Sequence, residues 1–181
     1  TGTKGMRHTE NEIKMEMIFP LWKEFAVINA LIAAHPYEEV AYDIISIDNK
    51  NQLIGSGLVG DLPKALSEIA FLTLLKEKFK LSVIRHTILT GNNVTTIALC
   101  GGAGSYLIGA AVAAGAQFYI TGDIKYHEFF DANKRLVVAD IGHYESEQYT
   151  IDLLFDILSR KYLNFAVLKT EVITNPVHYF Q

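Results

Sequence analysis

The chain has 181 residues, half of them apolar and 20% charged, with a net charge of -4. That composition excludes general disorder and leaves room for one ordinary domain or two small ones. A mild acidic excess offers no general attraction to nucleic acid or to an anionic membrane, and the single cysteine, Cys100, excludes an intramolecular disulfide and a cysteine-based zinc cluster.

No apolar run reaches the roughly 18–20 residues needed to span a bilayer. The longest stretch of low charge, Leu89 to Thr121, is broken by Gly91, Asn92 and Asn93 and again by Gly101, Gly102 and Gly104. The first ten residues, TGTKGMRHTE, lack the apolar segment of a secretory signal. The first methionine is Met6, so the sequence need not begin at a natural translation start.

In chain order, Ile13, Met15, Met17 and Phe19 alternate with Lys14, Glu16 and Ile18, the period of a strand. Pro20 suits an early helical position, and Leu21, Phe25, Ile28, Leu31 and Ile32 predict a helix that His35-Pro36 ends. Tyr42, Ile44 and Ile47 mark a second strand before the polar turn DNKNQ, so the first 50 residues or so read as β-α-β. Gly55, Gly57 and Gly60 mark a soft boundary, which divides the chain into residues 1–56 and 57–181. Beyond Pro63, a helix is expected over 66–79 and a strand over 82–89.

The clearest alternation follows. Val94 to Cys100 reads as a strand, Gly101-Gly102-Ala103-Gly104 as a turn, and Ser105 to Ala114 as a helix stopped by Gly115. Gln117 to Ile120 is the next strand, Tyr126 to Phe130 a short helix, and Leu136 to Ala139 a buried strand. A long amphipathic helix carries Ile151, Leu154, Phe155 and Leu158, and Phe165 to Leu168 returns as a strand. Strands alternating with helices predict an α/β layer with a mostly parallel sheet.

In such sheets, ligands bind beyond the strand C-termini. Three successive strand ends here are polar or glycine-rich: Gly102 to Ser105, Thr121 to Asp123, and Asp140 to His143. His143 and Glu147 are four residues apart, which places both on one helix face. Imidazole nitrogen and carboxylate oxygen both suit zinc, manganese or iron; a local hydrogen bond or a surface pair is the alternative. Asp123 and His127 repeat the spacing, as ligands, as an acid–base pair or as partners that fix a bound water; Asp123 could equally cap the short helix.

The glycine turn lacks the ending of a phosphate-binding P-loop, and Leu107 stands where a dinucleotide fingerprint needs a small residue. A tight turn is therefore the leading reading there, with backbone contact to an anion as the alternative. Cys100 at a strand end reads as a buried thiol. His35 with Glu38, Glu39 and Asp43 forms either a peripheral acidic cluster or a helix stop followed by a strand.

The segments TGDIKYHE (121–128) and DIGHYESE (140–147), with CGGAGS upstream, resemble the C-terminal half of NIF-three-like proteins, known also as GTP cyclohydrolase I type 2 homologues. AAHPYEEVAYD and GSGLVGDL resemble the PII/CutA-like insertion of longer members, and TNPVHYF fits their ending. The implied fold is a β-α-β PII/CutA-like segment followed by the C-terminal α/β half of the metal-binding domain. The resemblance implies a centre of two divalent metal ions, held by N-terminal histidines, an aspartate, and a C-terminal histidine and glutamate that match His143 and Glu147. Asp123 and His127 match the neighbouring pocket, in supporting or substrate-facing roles.

The N-terminal half of the family, with its adjacent histidines, has no counterpart in this sequence. The resemblance therefore implies a C-terminal piece of a protein about twice as long, whose two ligands alone would hold metal weakly. It further implies a metal-dependent hydrolase acting on a nucleotide or phosphoester, in a cytoplasmic homo-oligomer such as a hexameric ring. A regulatory or scaffold protein without turnover is the alternative.

Overall fold

The computed structural model describes residues 3–9, 11–49, 51 and 54–180. They divide into two compact units, Thr1–Asn49 and Lys50–Gln181.

In the first unit, a 3-10 turn (Leu21–Lys23) leads into helix α1 (Glu24–Ala34). His35 leaves the helical region at φ -80° and ψ 138°, as expected of a residue before proline. The flanking strands expected from the alternation at 13–19 and at 42–47 are not formed: no described residue there belongs to a ladder. The period of two fits a strand, but a strand also needs a neighbour to complete its backbone hydrogen bonds. The polar turn at 48–52 lies partly outside the described residues. His35 Nδ1 accepts the Tyr37 N–H at 3.1 Å, a local turn contact, and among the described residues no group of three or more His, Cys, Asp or Glu there could hold a metal ion.

The second unit is built on a five-stranded mixed sheet. Its strands are β1 (Leu58–Ser67), β2 (Arg85–His86), β3 (Asn93–Ala103), β4 (Phe118–Gly122) and β5 (Val137–Asp140), in the spatial order β1-β3-β4-β5-β2. The inner strands β3, β4 and β5 are parallel; β1 and β2 are antiparallel to their neighbours at the two edges. The parallel core meets the expectation, and the antiparallel edges make the sheet mixed.

β4 and β5 are buried along their whole length, so they read as continuous apolar runs. The pleat then sorts their side chains. Tyr119 and Val138 join Cys100, Ile108, Ala111 and Leu136 on one face, under helix α3 (Ile108–Ala113) and a 3-10 turn (Tyr126–Ala132). Phe118, Ile120, Val137 and Ala139 face the other way, with Phe71 and Leu75 of helix α2 (Glu68–Phe79). Phe71 meets Phe118 edge to face, with centroids 4.8 Å apart.

Ser67 caps α2 by accepting the Ala70 N–H, and the helix ends at Lys80 in the left-handed region at φ 55°. Buried Glu68 at its start accepts from the Thr90 hydroxyl and from the N–H groups of Thr90 and Gly91. Burial pulls this carboxyl's pKa upward, but those hydrogen bonds outweigh it and hold the group below the ordinary glutamate range.

β1 was not expected, because Pro63 and three glycines disguise it. The structure reconciles the proline with a strand in two ways. β1 is an edge, and its register with β3 shifts between Asp61 and Leu66, across the proline. The strand expected over 82–89 shrinks to Arg85–His86, and the one expected over 165–168 is absent from the described ladders. The long final helix is split into α4 (His143–Glu147) and α5 (Thr150–Lys161).

Candidate functional site

The three parallel strands end along one side of the sheet, and each end contributes to the site. β3 ends in the Gly101–Ala103 segment, β4 runs out into Asp123, and β5 runs through Asp140 into α4. The junctions are held by buried polar contacts. Thr121 Oγ1 accepts the Gly104 N–H at 3.0 Å and donates to the Gly102 carbonyl at 2.9 Å. The Tyr119 hydroxyl donates to the Gly104 carbonyl at 2.7 Å; burial pushes that phenol's pKa up, so it stays a donor. The Gly102–Gly104 backbone is thus bound to β4 from inside the protein, but the turn expected at 101–104 is not formed as such: Gly101 to Ala103 continue β3, whose register with β4 shifts between Leu99 and Ala103.

Asp140 anchors the other side. Its buried carboxylate accepts the Ile124 N–H and the Gly142 N–H, each at 3.0 Å, and pairs with Arg85. Where β5 leaves for α4, the backbone passes directly over Gly122. A Cβ at position 122 would lie 2.8 Å from the His143 nitrogen, so a side chain there would displace the start of α4.

This framework sets three side chains together. Asp123 adopts φ 55°, a left-handed conformation that aspartate tolerates better than most residues. Its Oδ2 lies 2.6 Å from His143 Nδ1. On the far side of the ring, His143 Nε2 faces Glu147 Oε2 at 3.3 Å, one helical turn along α4. All three are about half exposed, at 56% for Asp123 and 50% for His143 and Glu147. Asp123 is therefore a partner of His143 rather than a helix cap.

An ionised carboxylate can only accept, so the Asp123 contact places a proton on Nδ1. In the neutral ring Nε2 is then an acceptor, and it faces the acceptor oxygen of Glu147. Two acceptors this close call for a positive partner between them, either a proton or a cation. The proton answer has its physical cause in the same contacts. The hydrogen bond to Asp123, and after it the charges of Asp123 and Glu147, raise the His143 pKa against the smaller opposing effect of burial.

The cation answer fits the donor set. Ligand bonds of about 2.0–2.1 Å to one tetrahedral ion would set its donors roughly 3.3 Å apart, and Asp123 supplies the carboxylate that commonly orients a ligating histidine. The space is kept open by Gly102, whose φ is +64° and on which a Cβ would come within 2.7 Å of Glu147 Oε1 and 3.3 Å of His143 Nε2. Its N–H donates to Ser146 Oγ at 2.8 Å, tying the β3 end to α4. The set is nonetheless short of ligands: among the described residues no group of three or more His, Cys, Asp or Glu could hold a metal ion.

His127 stands apart. It is exposed on the 3-10 turn with its ring edge-on to Tyr126, and no hydrogen bond or ion pair links it to Asp123, His143 or Glu147 among the described residues. Lys125 is exposed beside it, its N–H donating to Glu128 at 2.8 Å. Cys100 is buried, as expected.

The site opens on a cleft of about 1000 Å³ lined by Arg85, Asp123, His143, Glu147 and the C-terminal segment through Tyr179. Asn175 in that segment donates to Glu145 at 3.3 Å. Sequence reading missed Arg85 and Tyr179. The only signal for the second was its place in the TNPVHYF ending, and Arg85 had none, since its neighbours in the fold come from residues 124 and 140.

Comparison with known proteins places the chain among relatives of similar sequence and fold. A Bacillus subtilis protein named GTP cyclohydrolase 1 type 2 homolog is 34% identical over 179 residues, covering 97% of this chain and 48% of the relative. A Listeria innocua protein of the same name is 38% identical over 133 residues, covering 73% and 36%. The crystal structure of a Bacillus cereus protein related to NIF3 superposes with a TM-score of 0.71 at 31% identity, over 90% of this chain and 46% of that one. The chain thus spans about half the length of the curated relatives it matches. No helix among the described residues is long and apolar enough to cross a membrane. Residues 7–176 match the model of the Duf34/NIF3 (NGG1p interacting factor 3) family, to which the chain belongs.

Proposed function

We propose that this chain is the C-terminal part of a metal-dependent hydrolase, in which His143 and Glu147 supply part of a centre of two divalent ions. The remaining ligands would come from a part of the protein with no counterpart here, consistent with the relatives' greater length. The observation that carries this reading is the pair of acceptors, His143 Nε2 and Glu147 Oε2, facing each other at 3.3 Å with Asp123 on the opposite ring nitrogen.

When bound, the ions would acidify water and offset negative charge on an attacked phosphoryl or ring carbon centre. The chain's own groups would hold and orient them. Asp123 fixes the tautomer and plane of His143, and Gly102 leaves room for both donors. His127, outside this arrangement, is given no step. The substrate class is a nucleotide or phosphoester, and residues 1–56 are read as the PII/CutA-like segment beside the metal-binding part, 57–181.

Elemental analysis of the complete protein and of its His143→Ala and Glu147→Ala variants tests this. Both variants should lose metal, and with it hydrolysis of nucleoside phosphates, by more than the roughly 10–100-fold that loss of an outer partner causes. Hydrolysis that persists after the metal has gone would end the mechanism.

A scaffold without turnover is the second reading, favoured by the open edge of β1, where Leu58 and Val59 are exposed. A complete protein that assembles into a ring and carries metal, yet hydrolyses nothing in a broad panel, would favour it.

A further inference from the structure

Residues 13–19 have the period of a strand but no ladder partner among the described residues. No backbone group of residues 11–19 is hydrogen-bonded to another backbone group there. The side chains nevertheless sort as they do on an extended chain. Lys14 Nζ lies 2.6 Å from Glu16 Oε1, and residues two apart share a side of an extended chain but not of a helix. The opposite side carries Ile13, Met15 and Met17, which are 94%, 80% and 59% exposed. One side is thus apolar, the other is charged, and the backbone between them is open. Such a segment is a template for another strand.

The order of its charges selects the occupant. Residues directly opposite each other in an antiparallel pair interact, and like charges there are unfavourable. Two copies of the segment, crossed at Met15, set Lys14 opposite Glu16 twice. On the other side they set Ile13 opposite Met17 twice and Met15 opposite itself. Neighbouring registers lose this match. Centred on Lys14 or on Glu16, the pair opposes two identical charges. Centred on Ile13, it sets Met15 and Met17 opposite Asn11 and Thr9. Registers centred between two residues set charged positions opposite apolar ones, and parallel pairing in register stacks Lys14 on Lys14 and Glu16 on Glu16. One antiparallel register therefore satisfies both sides of the strand at once.

We propose that residues 13–19 are a self-association strand, pairing antiparallel with the same segment of a second copy of this chain about a two-fold axis at Met15. Such an axis makes the contact isologous, so each copy offers the same residues and the pair closes on itself. The inference does not rest on the metal site, and it uses a different edge from that of β1.

The test uses the full 181-residue chain in sedimentation equilibrium. Wild type should show a reversible monomer–dimer equilibrium. Lys14→Glu places a carboxylate opposite Glu16 at both crossings and should weaken dimerisation by about tenfold or more. Adding Glu16→Lys to that variant exchanges the charges and restores the match, so affinity should return to within about threefold of wild type. Cysteine trapping reads the register itself. Opposed Cα atoms lie about 4.5–5.5 Å apart, so Met15→Cys should form a covalent dimer when an oxidant is added. Ile13→Cys should not, because the two copies of that position lie about 13 Å apart along the strands. Cys100 is buried and offers no competing thiol.

A chain that stays monomeric up to about 1 mM would overturn the proposal. So would a dimer unmoved by Lys14→Glu, as one held through the β1 edge would be, or a charge exchange that fails to restore affinity. Cross-linking at position 13 as strong as at position 15 would overturn it as well. Every substituted side chain is exposed, so circular dichroism should be unchanged; should Lys14→Glu fail to fold, the two cysteine variants decide the matter alone.

Discussion

Two phenylalanines on two helices show how differently the halves of this chain are held. Phe71 of α2 is 1% exposed and lies against Phe118 of the sheet; Phe25 of α1 is 79% exposed. Both helices are rich in large apolar residues, yet no described residue of the first 49 is buried. The difference lies in the surface each helix meets. α2 lies over a pleated face that presents Phe118, Ile120, Val137 and Ala139 together, whereas the strands expected beside α1 do not form. Apolar composition supplies the driving force for burial, but a paired sheet supplies something to be buried against.

That contrast can be broken most forcefully at Phe71. Phe71→Ala should destabilise the second unit by about 3–5 kcal/mol, through lost burial and the cavity left behind. Denaturant unfolding followed by circular dichroism would check this, and a loss below about 1 kcal/mol would mean that the α2 face is not the core it is described to be.

Gly102→Ala probes the site against the same framework. The added methyl meets Glu147 at a backbone angle that disfavours alanine, so about 1–2 kcal/mol of stability should go. Metal retention by the complete protein should fall by roughly tenfold or more, in the manner of a disturbed ligand support. Metal analysis beside a thermal melt separates the two effects.

Asp123→Asn acts more gently and has a definite sign. Asp123 raises the His143 pKa, so the metal-free variant should titrate closer to the ordinary histidine value of about 6.5. A raised folded pKa means that the stability from this contact is complete below the unfolded value and is lost as pH climbs through the folded one. Proton NMR of the His143 ring, recorded for both proteins, reads the direction; an upward move on removing Asp123 would contradict the assigned pairing. The smallest effect belongs to the first unit: Phe25→Ala should stay within about 0.5 kcal/mol, since little contact is lost.

Much of the second unit is legible in the residues. The apolar runs at 94–100 and 136–139 carry the period and length of inner strands, and Gly115 falls where a helix stops. β1 was hidden because Pro63 forbids an inner strand, and nothing local says that this strand lies at an edge. The converse error came from the alternation at 13–19, which has the strand period but no ladder partner among the described residues. At the site, His143 and Glu147 were visible as a four-residue spacing, and Asp123 as a polar strand end. That Asp123 serves His143, while His127 stays outside, depends on the left-handed turn at residue 123.

Sequence alone determined which segments become helices and inner strands of the second unit, and that one helical turn offers a nitrogen and an oxygen donor on the same side. Those properties follow from local periodicity, and a helix or strand carries its period wherever it lies. The tertiary structure decided which groups meet across the cleft: Asp123 with His143, Arg85 with Asp140, and Gly102 with Glu147. These partners are 20, 55 and 45 residues apart, counted from their numbers, and only parallel pairing of β3, β4 and β5, with β2 laid antiparallel on β5, brings such distant positions to one side of the sheet.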